Sequence, residues 1–327
     1  MRKFLVIFSL VLAGRFSAQV LLPSTESAFE TQYNFNPEVI KKRGIKKITF
    51  DIIDKKDFEI AVDKNLVETY EFNADGLITR FYFTTIARTN ERHITHYGKK
   101  GKTTSYVEHD YVFDTISTTY FYVGKNLVLK RFHDGNNYYE SRYYRYDKAG
   151  NLTKELRYKE TNNSEKKSFF VLGNQVLLSE DSFQYQKYGD KQIKRICLNN
   201  ENRPYKEQII NLDSLGRKKN MNEVYTAASW IVQRHQFEYG KDGLLKAEFE
   251  GNAAAPVLMK NIYEYDENHE LYAEKQFKNE VLLREINYVN DKALQLLNSF
   301  IIRDPALKSL RIVKLKYDFG SVGRNGG

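Results

Sequence analysis

The stretch Tyr143-Tyr144-Arg145-Tyr146-Asp147-Lys148-Ala149-Gly150-Asn151-Leu152-Thr153-Lys154-Glu155 decides the fold. It reads as strand, turn, strand. Successive side chains of an extended segment point to opposite sides, so Tyr144 and Tyr146 share one face. Asp147 opens a four-residue turn, because its carboxylate can accept hydrogen bonds from nearby backbone N–H groups. Gly150 closes that turn with the left-handed backbone that a short hairpin link often demands. Beyond it, Leu152, Leu156 and Tyr158 lie on one face, and Thr153, Glu155, Arg157 and Lys159 on the other.

Copies of this pattern recur along the chain. Tyr70, Phe72 and Gly76 belong to one good copy, and Phe237, Tyr239, Gly243 and Leu245 to another. Tyr263, Tyr265, Asp266 and Leu271 form a third, with His269 in the glycine position. Leu212 to Arg217 keeps Asp213 and Gly216 but loses the aromatics before them. Shorter copies read at Tyr97 to Gly101, at Val123 to Leu127 with Asn126 in place of glycine, and at Phe170 to Val176. Turn positions 76, 101, 126, 150 and 174 are evenly spaced, and after an irregular stretch 216, 243 and 269 resume the rhythm. A fixed period in this range marks an architecture built from one repeated unit. Each unit is a hairpin with its return link. The expected fold is therefore mainly β: an antiparallel β-hairpin repeat sheet, elongated or curled, with short capping helices.

Four segments follow from this reading. Residues 1–19 read as a signal peptide: Met1-Arg2-Lys3 is positive, Phe4 to Ala13 is almost wholly apolar, and Phe16-Ser17-Ala18-Gln19 offers small residues for cleavage. Residues 20–60 form an N-terminal cap with a short helix, Asn36 to Gly44, and first strands in which Ile48, Phe50 and Ile52 share a face. Asn36 suits the helix N-cap, Pro37 its first turn, and Gly44 its end. Residues 61–290 carry the repeats, with Ser179 to Arg203 the expected place for a kink. Residues 291–327 form a C-terminal cap and tail, led by a short helix over Asn290 to Leu297, with a last strand around Ile312 to Tyr317.

Composition narrows the class. The chain of 327 residues has 24 Tyr and 21 Phe alongside 28% charged residues, which suits strands with one packed face and one wet face. Removing Arg2, Lys3 and Arg15 with the leader lowers the net charge from +9 to +6. The basic residues are interleaved with acidic ones, so no nucleic-acid patch is read. No later apolar run is long enough for a transmembrane helix. Cys197 is the single cysteine, which rules out an intramolecular disulfide.

The form Tyr-x-Tyr-Asp-x-x-Gly-x-Leu, at 144–152, at 263–271 and with substitutions at 70–78 and 237–245, resembles the tyrosine-aspartate (YD) repeat of Rhs-like proteins. That resemblance implies hairpin sheets coiling into a shell, with carbohydrate or cell-surface contact. A second resemblance is to the short hairpin repeats of MORN type, which share the aromatic–turn–glycine pattern. The leader and the repeats together look like envelope proteins of Bacteroidetes-type bacteria.

Motifs for chemistry are missing. There is no nucleophile elbow, His-Glu-x-x-His, phosphate loop or Rossmann fingerprint. His93 and His96 are three apart, on opposite faces of a strand, so no metal ligands are assigned. No catalytic or cofactor-binding residue is assigned either. The expected function is an exported, non-enzymatic envelope or surface repeat protein, located in the periplasm, on the outer-membrane surface or outside the cell. Its sheet would act as scaffold or binding platform for a glycan or an envelope protein, and oligomers could form through sheet edges. The alternatives are an envelope polysaccharide hydrolase, its carboxylates assembled by the fold, or a component of an Rhs-like antagonism system.

Overall fold

The computed structural model describes residues 19–23, 33–97, 103–135, 139–165, 169–252, 255–291 and 293–320. The leader expected at 1–19 lies outside them apart from Gln19. Two short strands, β1 (Leu21–Leu22) and β2 (Asn34–Phe35), pair with each other and lead into α1 (Pro37–Arg43). The helix forms for the reasons its sequence suggests. The Asn36 side chain accepts from the Glu38 N–H, Pro37 opens the first turn, and Gly44 ends the helix in the left-handed region at φ 66°.

Eighteen further strands follow. They are β3 (Ile45–Lys56), β4 (Val62–Phe72), β5 (Ile78–Tyr97), β6 (Thr103–Val123), β7 (Asn126–His133) and β8 (Tyr139–Tyr146). Next come β9 (Leu152–Asn162), β10 (Leu172–Tyr188), β11 (Gln192–Leu198), β12 (Pro204–Leu212), β13 (Lys218–Tyr225) and β14 (Ala228–Tyr239). The last are β15 (Leu245–Asn252), β16 (Ala255–Tyr265), β17 (Leu271–Lys278), β18 (Val281–Asp291), β19 (Leu296–Asp304) and β20 (Ser309–Phe319). Each pairs antiparallel with its chain neighbours, and β20 pairs with β3, so the sheet is a closed barrel.

Closure corrects the expectation of an open or curled repeat sheet of YD or MORN type. The seam is long, running from Ser309↔Lys56 to Phe319↔Ile45, and Arg311 clamps Asp54 across it with bonds of 2.7 and 3.1 Å. Closure removes the free edges at the two ends of the sheet. The first strands and the last are neighbours in one wall. Within the stretch expected to kink, β10 and β11 run as regular paired strands over 182–198. The helix expected at Asn290 to Leu297 is a turn between β18 and β19, with Gln295 at φ 51°.

The repeats are real hairpins, but their rhythm differs from the one read off the chain. The turns holding Gly76, Gly124, Gly150, Gly189, Gly216, Gly243 and His269 all lie at one rim, beside α1. Gly124 itself takes φ 60°, and Asn126 opens β7. Position 101 lies outside the described residues, and 174 sits within β10 after a link at the opposite rim. Strands β5 and β6 span 20 and 21 residues, about twice the usual length, which inserted a false beat. Beyond Phe83, β5 pairs only with β6, so this hairpin projects past the far rim as a two-stranded ribbon of roughly 40 Å.

Within the good copies each residue has a physical task. The Asp147 carboxylate accepts from the Ala149 and Asn151 N–H groups at 2.8 and 2.9 Å, and Asp213 and Asp266 repeat the arrangement. The second tyrosine clips its hairpin to the one before. Tyr146 donates to the Leu127 carbonyl at 2.9 Å, Tyr239 to Lys218 at 3.0 Å, and Tyr265 to Leu245 at 2.9 Å.

Gly76 and Gly216 share φ 78° but not surroundings. A Cβ on Gly76 would stand 2.1 Å from the Pro37 carbonyl oxygen, whereas one on Gly216 meets nothing within 4 Å. Gly216→Ala should therefore cost about 1–2 kcal/mol of backbone strain. Gly76→Ala should cost about 1–3 kcal/mol more, through overpacking against the helix. Urea unfolding of both variants measures the difference, and equal losses would contradict the helix–turn contact.

The two faces of the wall differ. Ile48, Phe50 and Ile52 point inward, as do Val313, Leu315 and Tyr317 opposite them. The outward face mixes charged positions with apolar rows, among them Ile53, Ile312 and Ile301 on adjacent strands and Phe121, Leu129, Tyr143 and Leu156 on four others. It carries Lys47, Asp51, Lys314 and Lys316 at the seam, and further round Glu71, Arg80, Lys194, Glu207, Lys260 and Glu264. Cross-strand pairs tie it together, among them Lys194–Glu207 at 2.8 Å and Lys275–Glu264 at 2.9 Å. Apolar residues also meet across strands between these charges, as Val224 and Val232 do.

Candidate functional site

The lumen is the candidate site, and the N-terminal segment determines its form. Strands β1 and β2 with α1 sit inside the rim that carries the repeat turns. Ile40 is fully buried, and Phe35 packs at 4.7 Å against Tyr70 and 5.1 Å against Phe72. Phe50, Phe300 and Tyr33 complete the cluster, with Phe50 at 5.2 Å from Tyr33 and 5.7 Å from Phe300. Lys41 pairs with Asp75 at 3.0 Å, and Arg43 reaches Gln295 at 3.4 Å, fixing the helix to two turns of the rim. This segment is a plug.

The repeat residues gather into three inward clusters. Tyr70 and Phe72 join the plug. Tyr144 packs with Tyr120 and Leu127, flanked by Tyr146 and Leu152. Phe237, Leu245, Tyr263 and Leu271 form the third cluster, flanked by Tyr239 and Tyr265. Asp147, Gly150, Asp213, Gly216, Gly243 and Asp266 stay in the rim turns and touch none of these clusters.

Among the described residues, two cavities lie between the plug and the wall. One, of about 510 Å3, is lined by Tyr33, Tyr120, Tyr122, Tyr146, Tyr185 and Arg195 among others. The second, of about 600 Å3, lies against Leu22, Pro23, Tyr239, Leu245, Tyr265 and Arg217. A third, of about 620 Å3, opens at the other end beside Asp54, Arg284 and Arg311. Ring faces with a few polar groups among them are a common lining for small polar ligands.

A row of carboxyls also faces inward. Burial raises Glu68, Glu248 and Glu274 above the usual carboxylate range. Hydrogen bonds donated by Tyr70, Tyr263 and Tyr288, at 3.3, 3.4 and 3.2 Å, offset this only in part. None of the three carboxyls lines the cavities described above.

One polar cluster sits on the outer side instead. Tyr144 faces the lumen, so Ser141 and Tyr143 face out, and so do their cross-strand neighbours Arg131 and Tyr158. Glu160 lies among them, only 1% exposed, under the β9–β10 link. It accepts from Ser141, from Tyr143 at 2.7 Å, from Gln175 at 2.9 Å and from Arg131 at 3.0 Å. Phe170 stacks over Arg131 at 3.7 Å and closes the site. Burial works against the Glu160 charge, but these bonds and the Arg131 charge outweigh it and hold the carboxyl below its ordinary range.

The fold and site together define an antiparallel barrel of eighteen strands with a plugged lumen that is aromatic near the plug. No protein-family model matches the chain, and no curated protein matches it. Among solved structures it is similar to a porin-like protein from Bacteroides uniformis, at 9% identity over 84% of this chain and 97% of that one, with a TM-score of 0.38. A porin-like protein from Bacteroides vulgatus aligns at 11% identity over 84% and 98%, with a TM-score of 0.29. A Photorhabdus luminescens Tc holotoxin pore aligns at 9% identity over 78% and 21%, with a TM-score of 0.17. At such scores the likeness carries no argument about function, which rests on this chain's own residues.

Proposed function

We propose that the chain is an exported, non-enzymatic envelope protein whose barrel stands in water and binds a glycan in the lumen beside the plug. The observation that carries this reading is the number of charged side chains on the outward face of the wall. A barrel in lipid presents an apolar band outward, and each Lys or Arg near the bilayer midplane costs roughly 2–4 kcal/mol. Here the outward face bears Lys, Glu, Asp and Arg on strands all round the barrel, with apolar rows and some rings such as Phe121 and Tyr143 between them. Export is supported by the positive start and apolar run of residues 1–19. The ligand class is supported by the cavity that joins five tyrosines to Arg195, since ring faces stack on sugars and the polar groups orient hydroxyls.

The hydrolase alternative needs two carboxyls facing an open space. Glu248 and Glu274 are engaged by Tyr263 and Tyr288 instead, away from the cavities described. The test is a glycan array followed by calorimetry on the purified barrel. One glycan class should bind, and Tyr122→Ala should weaken it about five- to tenfold. An array with no bound glycan, or unchanged affinity in the variant, would overturn the proposal.

A further inference from the structure

The two cavities beside the plug each have one arginine in their lining, and the fold treats the two differently. Beside Tyr239, Arg217 is fully engaged: the Asp213 carboxylate takes its Nε and Nη2, and the Gly243 carbonyl takes its Nη1 at 2.9 Å. Beside Tyr122, Arg195 makes one hydrogen bond among the described residues, from its Nε to the Gln208 Oε1 at 2.6 Å. That acceptor is a neutral amide, so it orients the guanidinium without cancelling its charge. The Phe183 ring lies 5.5 Å away and adds a second support. Carboxylates on the same inner face are committed elsewhere. Glu223 accepts from the Gln208 amide and pairs with Lys206 at 3.4 Å, and Asp181 takes the Tyr205 hydroxyl. The Arg195 field also reaches the Cys197 thiol, which burial keeps protonated.

The lining of this cavity of about 510 Å3 has the same sign. Its charged residues are Arg195 and Lys125, with no carboxylate among the described residues that line it. Tyr146 and Tyr185 donate their hydroxyls to the Leu127 and Leu152 carbonyls at 2.9 and 3.0 Å, so they offer the cavity ring faces. We infer that the glycan held here is acidic, its carboxylate or sulfate gripped by the two Nη groups of Arg195. The planar guanidinium fork matches two oxygens of such a group. A neutral sugar would displace water from the same cation and return no charge, which makes the site selective. This rests on the lumenal glycan reading and adds to it the charge of the ligand and the residue that selects it.

The experiment is calorimetry on the full chain with digalacturonate, a sulfated galactobiose, neutral galactobiose and inorganic sulfate. One of the two acidic sugars should bind at least about tenfold more tightly than the neutral one, and Arg195→Gln should remove that preference. Which acidic sugar wins distinguishes a uronate from a sulfate ester. Arg195→Lys keeps the charge but not the fork, so its preference should fall between the two, and it serves alone if the glutamine variant does not fold. Tyr122→Ala should weaken acidic and neutral sugars alike. Equal binding of acidic and neutral sugars, or an undiminished preference in the Arg195 variants, would overturn the inference while leaving the lumenal glycan reading in place. If no sugar binds, but sulfate raises the melting temperature of the natural chain and not of Arg195→Gln, the anion site stands and the glycan reading falls. Absence of every one of these effects removes both.

Discussion

Replacing Glu160 by Ala is expected to cost about 3–5 kcal/mol, the largest loss among single polar substitutions in the wall. The change removes the acceptor on which Ser141, Tyr143, Gln175 and Arg131 converge, and leaves Arg131 shielded with no carboxylate. The pH dependence has a definite sign. The Glu160 carboxyl is depressed in the folded chain, so its contribution is complete above the ordinary value of 4.5 and is lost as pH falls through the lower folded value. Glu68, Glu248 and Glu274 are shifted upward and work in the opposite direction, contributing stability at low pH that is lost as pH rises. The comparison is therefore between the natural chain and Glu160→Gln. Their difference in denaturant midpoint should shrink on acidification below about pH 4.5. A difference that is flat with pH would mean that Glu160 is not ionised where it lies.

Phe50→Ala should be about as severe, at about 3–5 kcal/mol, and should act on the plug as well as on the wall. Phe50 is fully buried and touches rings from both bodies: Tyr33 and Phe35 of the plug, Tyr70 and Phe300 of the wall. The cavity left behind loosens the plug where it meets the barrel. Limited proteolysis should then cut within Tyr33 to Gly44 faster than in the natural chain, alongside a lower denaturant midpoint. Loss of stability with unchanged cleavage would place Phe50 in the wall alone.

Local features were legible where a few neighbouring residues determine the backbone. Asn36, Pro37 and Gly44 specify α1 without help from the rest of the chain. The Tyr-x-Tyr-Asp copies specify hairpins because the Asp carboxylate binds its own turn and the glycine takes the left-handed backbone. Closure was not legible, because it depends on Ile45–Lys56 meeting Ser309–Phe319, and antiparallel pairing at that separation leaves no local mark. The false helix at Asn290 to Leu297 has a clear cause. Asp291 does accept from the Ala293 and Leu294 N–H groups, as a helix cap would, but Gln295 then turns the chain back into a strand. The plug was missed because Val20, Leu21 and Phe35 are too few and too scattered to show a period.

Tyr146, Tyr239 and Tyr265 clip their hairpins to the ones before, and rings such as Tyr122 and Tyr185 line the cavity beside the plug, while charged residues stand on the outer face. The most direct test of this claim is flotation. The barrel, purified without detergent, is mixed with lipid vesicles and centrifuged in a density gradient. The account predicts that it stays monodisperse at the bottom of the gradient while the vesicles rise. Rising with the vesicles, and needing detergent to leave them, would contradict it.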